Sequence, residues 1–187
     1  MSVDQGGATA NPEEVGRSLE AGPARRVGPP DAQAPRQLVL PSGRSVRVRP
    51  ASTLKRGVLD VPDDVGEAGW WRGSARLGDA FGSTLVAGHV DGIDVGLGAF
   101  AELLEVRPGQ RVRLRSRTLE QPFLIRSRRL LPREATSGAT YLYSVRGPRR
   151  LTLVTCAPPY LPDRGGYQRL AVVTAVPDGP PDTEGRS

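Results

Sequence analysis

Leu151-Thr152-Leu153-Val154-Thr155-Cys156-Ala157-Pro158-Pro159 is the stretch from which the architecture of this 187-residue chain is read. Aliphatic and β-branched residues from Leu151 to Thr155 define a strand, and Ala157-Pro158-Pro159 is expected to break it. Leu153-Val154 is apolar without alternation, so this strand is expected to lie centrally, covered on both faces. The run Ala171-Val172-Val173, inside a strand predicted over residues 168–176, reads the same way. Working outward, short strands are predicted over residues 37–40, 45–48, 58–61, 83–88, 110–115, 122–128 and 140–144, each bounded by Gly, Pro or Asp. One short helix is predicted over 98–106, where Phe100, Leu103 and Leu104 share a face ahead of Pro108-Gly109. A second is expected to begin near Asp64 and carry Trp70-Trp71, whose indoles read as core or barrel-end packing. Glycine (23) and proline (18) supply the turns such a chain needs. The fold class is all-β, a sandwich or barrel with one to three short helices.

Residues 1–35 are rich in Ala, Gly, Pro, Glu and Arg without hydrophobic periodicity and are expected to form a flexible leader. Residues 178–187 form a second frayed end, leaving 36–177 as the folded domain. No run approaches the roughly 18 apolar residues of a membrane helix, and the first thirty residues lack the basic start and apolar middle of a signal peptide. Membrane association is therefore expected only through an anchor missing from this chain.

The formal charge is +6, carried almost wholly by arginine, since Lys55 is the single lysine. These arginines are scattered, and in Ser45-Val46-Arg47-Val48-Arg49 and Arg111-Val112-Arg113-Leu114-Arg115 they alternate with aliphatics. Period-two alternation is the pattern of a strand with one buried and one solvated face. Nucleic acid would call for basic residues gathered on one face with stacking aromatics between them, so none is expected as a partner.

The chain holds one cysteine, Cys156, and one histidine, His89. An internal disulfide is excluded, and so is a four-ligand structural zinc site built on Cys and His. No acidic loop has calcium-ligand spacing, and no cofactor is implied. What remains is either a cysteine nucleophile with a histidine partner or two unrelated residues, Cys156 then being a small buried hydrophobe. Position brings the pairing level with the alternative, because His89 follows the strand Ser83-Thr84-Leu85-Val86-Ala87-Gly88 just as Cys156 follows Leu151–Thr155. Two strand ends held rigidly can aim both side chains into one cleft. His89 precedes Asp91-Gly92, read as a turn signal, in which Asp91 and Asp94 are turn formers or orienters of the imidazole.

These residues carry a resemblance to the sortases, the cysteine transpeptidases of Gram-positive cell surfaces. Thr152-Leu153-Val154-Thr155-Cys156 resembles their TLxTC strand, Val86-Ala87-Gly88-His89 their strand ending in Gly-His, and Tyr167-Gln168-Arg169-Leu170-Ala171-Val172 the strand bearing an essential arginine. Leu59-Asp60-Val61-Pro62, Gly69-Trp70-Trp71, His89-Val90-Asp91, Gly98-Ala99-Phe100-Ala101 and Pro108-Gly109-Gln110 are most similar to class F, or the neighbouring class E, of actinobacteria. After the cysteine, Ala157-Pro158-Pro159-Tyr160 replaces the glycine-containing turn of class F, and its two prolines stiffen that loop. The resemblance implies a closed sortase-type β-barrel of about eight strands.

It also implies a reaction. Cys156 attacks the threonine carbonyl of an LPxTG-like sorting signal, and a peptidoglycan precursor amine then takes the acyl group from the thioester. His89 shuttles the proton, and Arg169, which as a guanidinium cannot act as a base, holds substrate backbone and oxyanion. Arg169 and a charged His89 are both expected to favour the Cys156 thiolate. Thr155 is either a shaper of the oxyanion site or a plain strand residue. Tyr160, Tyr167 and Asp91 are candidate substrate contacts, with loop packing the alternative for the tyrosines. Localisation at the extracytoplasmic face of the membrane or in the cell wall, surface proteins as substrates, and a monomeric state complete the implication. An L,D-transpeptidase is disfavoured because its histidine-glycine-cysteine signature is absent, and a papain-like hydrolase because its cysteine precedes its histidine. The non-enzyme alternative is a basic β-barrel binding module for anionic polymer or nucleic acid with a structural cysteine.

Overall fold

The computed structural model describes residues 31–54 and 59–183. Eleven strands are seen among them: β1 (Gln37–Val39), β2 (Ser45–Ala51), β3 (Glu67–Trp71), β4 (Ser83–Gly88), β5 (Asp91–Gly92), β6 (Gly96–Leu97), β7 (Arg111–Arg115), β8 (Leu119–Pro132), β9 (Arg150–Leu161), β10 (Gly166–Pro177) and β11 (Asp182–Thr183). Four short 3-10 segments join them, Ala99–Leu104, Arg133–Gly138, Thr140–Leu142 and Pro162–Arg164. Eight strands close into a barrel in the order β10-β9-β4-β3-β2-β1-β7-β8, with β8 pairing back onto β10. The fold is all-β, as expected.

Alternation builds the wall. β2 buries Val46 and Val48 while Arg47 and Arg49 face out, and β7 buries Val112 and Leu114 between arginines. The outward arginines pair across strands: Arg47 and Arg49 with Glu67 of β3, Arg113 and Arg115 with Glu120 of β8. The interior is filled by Phe100, Phe123, Leu38, Leu77, Leu103, Leu114, Ile125, Leu151 and Leu153, all essentially without solvent exposure.

Several elements differ from the sequence expectation. Glu67–Trp71 is a strand rather than part of a helix, pairing parallel with β2 and antiparallel with β4. Trp70 is buried with Nε1 donating to Ala75 O at 3.2 Å, and Trp71 stacks edge-on against Tyr143 with centroids 5.1 Å apart. Residues 140–144, expected as a strand, form a 3-10 turn in which Leu142 N–H donates to Ala139 O at 3.0 Å. Of the strand expected over 58–61, Val58 lies outside the described residues and Leu59 makes an isolated bridge to Thr53. Asp91-Gly92 is not a turn: it is β5, paired with β6, and the turn lies between them with Asp94 at φ 64°. β9 does not break after Cys156 but runs through both prolines. Tyr167 pairs with Tyr160 and Arg169 with Ala157, so Pro158 and Pro159 oppose the single residue Gln168 in a bulge, where a missing N–H is tolerated.

Most of the expected leader lies outside the described residues. Gln33, however, bridges to Leu77 and Pro35 is buried, so ordered structure begins before residue 36. At the other end β11 pairs with β8, extending order past residue 178.

A second, smaller apolar layer lies outside the barrel. Ala139 and Leu142 roof the outer face of β8, β10 and β9, packing with Val172, Val154, Leu170, Leu131 and Tyr143. The roof is fastened to the wall by Ser83, whose hydroxyl donates to Leu142 O at 2.8 Å and lies 2.7 Å from Thr152 Oγ1. All three residues are buried. Ser83→Ala leaves the Leu142 carbonyl and Thr152 hydroxyl without this partner and is expected to cost roughly 1–3 kcal/mol in urea unfolding. A loss below about 0.5 kcal/mol would show that the fastening contributes nothing.

Candidate active site

β4 and β9 run parallel, with Val86 beside Leu153 and Ala87 beside Val154. Val86 and Leu153 have no exposure and face the interior, while Ala87 and Val154 are half-buried and face the outer layer. The next step is closed by a side chain: Thr155 Oγ1 donates to Gly88 O at 2.8 Å. His89 follows Gly88 directly and Cys156 follows Thr155, and both are half-buried. The only histidine of the chain thus follows the end of β4, and the only cysteine lies within β9 next to Thr155, the residue hydrogen-bonded to that end.

Local sequence explains the tightness of the β4 end. A Cβ on Gly88 would lie 2.8 Å from the Phe100 ring, and one on Gly98 only 2.6 Å from His89 O. Phe100 is wholly buried, so neither contact can relax cheaply. Glycine at both positions lets the backbone carrying His89 lie flat against the barrel.

Cys156 is directly opposite Leu170 of β10, and Leu170 is directly opposite Leu131 of β8. These three share the outer face with the roof. Burial pushes the Cys156 thiol above its usual range, and Asp91 pushes it the same way, while the Arg133 guanidinium pulls it down. Arg169 pairs with Ala157, one row along, and its side chain is exposed.

The other expected contacts separate. Thr155 is 2% exposed and hydrogen-bonded to Gly88, so it belongs to the barrel wall rather than to a substrate surface. Tyr160 is 57% exposed and stacks edge-on against Tyr167, centroids 5.0 Å apart. Tyr167 Oη donates to Asp91 Oδ2, joining the start of β10 to the β5 strand that follows His89. Asp91, Tyr167 and Tyr160 therefore form one connected cluster on the hairpin that carries Cys156, and Asp91 follows His89 by two residues. Among the described residues no group of three or more His, Cys, Asp or Glu side chains could hold a metal ion.

A sortase-domain family profile matches residues 44–177, most of the chain and all of this site. The chain belongs to the sortase family. Sortases are cysteine transpeptidases that act at the cell surface, and a half-buried free cysteine suits that chemistry. Sortase E1 from Streptomyces coelicolor, solved with a tripeptide in its active site, superposes with a TM-score of 0.61 at 16% identity, covering 83% of this chain and 94% of its own. The SrtA sortase of Actinomyces oris gives 0.59 at 19% identity, covering 90% and 93%. Listeria monocytogenes sortase A gives 0.57 at 15%, covering 82% and 91%. At these identities the likeness is one of fold, shared across sortase classes. No curated protein matches the sequence significantly.

The Tyr167–Asp91 bond has a titration signature. It is the largest cause of the Tyr167 phenol being pushed up from 10 to about 12. Because the folded value lies above the unfolded one, this bond supports the fold fully below pH 10 and is lost as pH rises through about 12. Ultraviolet titration of Asp91→Asn is expected to bring one late phenol back towards 10, whereas an unchanged curve would contradict the assignment.

Proposed function

We propose that this sortase cleaves an LPxTG-like sorting signal between Thr and Gly and transfers the acyl protein to a peptidoglycan amine. The observation that carries the reading is the parallel pairing of β4 with β9, tied by Thr155 Oγ1 to Gly88 O, which brings together the residues that immediately precede Cys156 and His89. Since burial holds the thiol protonated, a neighbouring base is needed, and imidazole is the side chain suited to give and take protons near neutrality. His89 accepts the Cys156 proton as Sγ attacks the threonine carbonyl. The protonated imidazole then gives that proton to the departing glycine amine, leaving a thioester on Cys156. The incoming amine loses its proton to His89 as it attacks the thioester, and the thiol is regenerated.

Arg169 acts on the substrate rather than on the thiol. It lies one residue from Leu170, the direct neighbour of Cys156, and its exposed guanidinium can bind substrate carbonyls and the developing oxyanion as a two-pronged donor. Tyr160, Tyr167 and Asp91 line the approach to the cysteine. The motifs around His89 and Trp70-Trp71 support placement in class F or class E, and the resulting workplace is the extracytoplasmic face of the membrane. A non-catalytic module for anionic polymer is disfavoured by the ion-paired outer arginines of β2 and β7, which leave no bare basic stripe on those strands.

A quenched LPxTG-type peptide with an amine acceptor tests the reading. Wild type is expected to cleave it and form the amide product, and Cys156→Ala and His89→Ala to fall on the order of a thousandfold. Arg169→Lys is expected to stay folded but lose most turnover, because an ammonium cannot reproduce the guanidinium fork. Cleavage undiminished in Cys156→Ala would overturn the mechanism.

A further inference from the structure

We propose that the C-terminal half of β8 is a docking edge for an extended, acidic peptide segment of a partner protein, taken up as one more strand. β8 runs from Leu119 to Pro132, but its neighbour on one side stops short. β7 pairs with residues 120–124 only, and beyond it Gly109 N–H donates to Ile125 O at 2.9 Å and Ile125 N–H to Gln110 O at 2.8 Å. From Ser127 to Pro132 the strand pairs with β10 alone among the described residues. In an antiparallel ladder every second residue turns its N–H and C=O away from the partner, so this edge holds unmade backbone hydrogen bonds. An extended peptide that adds to the edge makes them.

The edge is basic on both faces. Arg126, Arg128 and Arg129 are exposed and make no ion pair among the described residues, whereas Arg47, Arg49, Arg113 and Arg115 are all paired. Arg128 is opposite Val173 of the barrel core, and Arg129 is opposite Val172 of the outer layer, so the two side chains leave the strand on opposite faces. Arg126 has no partner in the register, at the bulge beside the Thr174 and Ala175 pairings. A polyanion or a lipid surface lying against the wall meets one face at a time. An added strand projects side chains to both, so carboxylates at adjacent positions of that strand answer Arg128 and Arg129 together. A second copy of this chain is disfavoured, because two β8 edges would set arginines against arginines. Charges on an edge also guard it against indiscriminate pairing, and a guard of one sign admits strands of the other. With strands about 4.8 Å apart, the added strand lies roughly 14 Å along the sheet from β9, which leaves Cys156 open. The docking is thus separate from the sorting reaction.

The test uses the full chain with a fluorescent peptide, Thr-Val-Thr-Glu-Glu-Val-Thr-Val, read by anisotropy at low ionic strength and by amide hydrogen exchange. The peptide is expected to bind saturably and to slow exchange of the backbone amides of residues 127–131. Arg128→Glu and Arg129→Glu are each expected to weaken binding roughly 5- to 10-fold, since each sets like charges opposite one another. Both side chains are exposed, so the core is untouched, and Arg128→Gln and Arg129→Gln give the same order with smaller losses. Arg44→Glu, exposed on the turn between β1 and β2, is expected to stay within about twofold of wild type. A peptide with lysine for both glutamates is expected not to bind. Absence of binding overturns the proposal and leaves the arginines as guards of the edge alone. Binding without protection of residues 127–131, the behaviour expected of inorganic polyphosphate run in parallel, overturns it, as does an equal loss in Arg44→Glu. Protection of these amides in the peptide-free chain that disappears on dilution assigns the edge to a second copy and also overturns it. Cleavage of a sorting peptide enters none of these readings, so failure of that reaction leaves the docking edge standing.

Discussion

The parallel pairing of β4 with β9, closed at its end by the hydrogen bond from Thr155 Oγ1 to Gly88 O, is the constraint on which the rest of the structure depends. Two parallel neighbours cannot be joined by a tight turn, so the chain must leave after His89 and return before Arg150. That long excursion supplies the β5–β6 hairpin, the buried Phe100 segment, β7, β8 and the roof over the outer face. The crossover that parallel pairing requires is thus also the material of the site. A slip of one residue in this register would turn Cys156 into the barrel and Thr155 out of it. The buried Ser83–Thr152 contact at the opposite end of the same pair guards against such a slip.

Electrostatics divides by layer. On the solvated faces of β2 and β7 arginines meet glutamates of the neighbouring strands, and a chain with a formal charge of +6 shows pairs there instead of a bare basic stripe. Beside the roof the balance is different. Burial opposes ionisation of Cys156, Asp91 adds to that opposition, and Arg133 works against both. Part of the Asp91 oxygen lone-pair capacity is taken up by Tyr167, so the pair forms one hydrogen-bonded wall of the mouth. In the proposed reaction proton transfer falls to His89, which has no second histidine to replace it.

Much of this was legible in the residues because barrel strands obey a period of two. The Arg-aliphatic alternation of Arg47–Arg49 and Arg111–Arg115 marked β2 and β7, and both scarce residues sat at ends of runs whose registers then met. Less legible were segments whose composition served a purpose other than the local one. Trp70-Trp71 has the aromatic enrichment of a strand but lay in a window that also admits a helix start at Asp64. The Thr-Tyr-Leu-Tyr run from Thr140 imitates a strand, yet its single buried side chain, Leu142, is met by an outer layer that only the tertiary fold creates. Pro158-Pro159 signalled a stop because a regular ladder excludes proline, and the bulge removed that exclusion.

The central claim is that the β4–β9 pairing positions Cys156 as a nucleophile aimed at a sorting signal. A peptide carrying Leu-Pro-X-Thr with a chloromethyl ketone in place of the scissile carbonyl's leaving group tests it directly by intact mass and peptide mapping. The account predicts one label per chain, on Cys156, formed much faster than with a scrambled peptide of the same composition. Equal rates for the two peptides, or a label on any other residue, would contradict it.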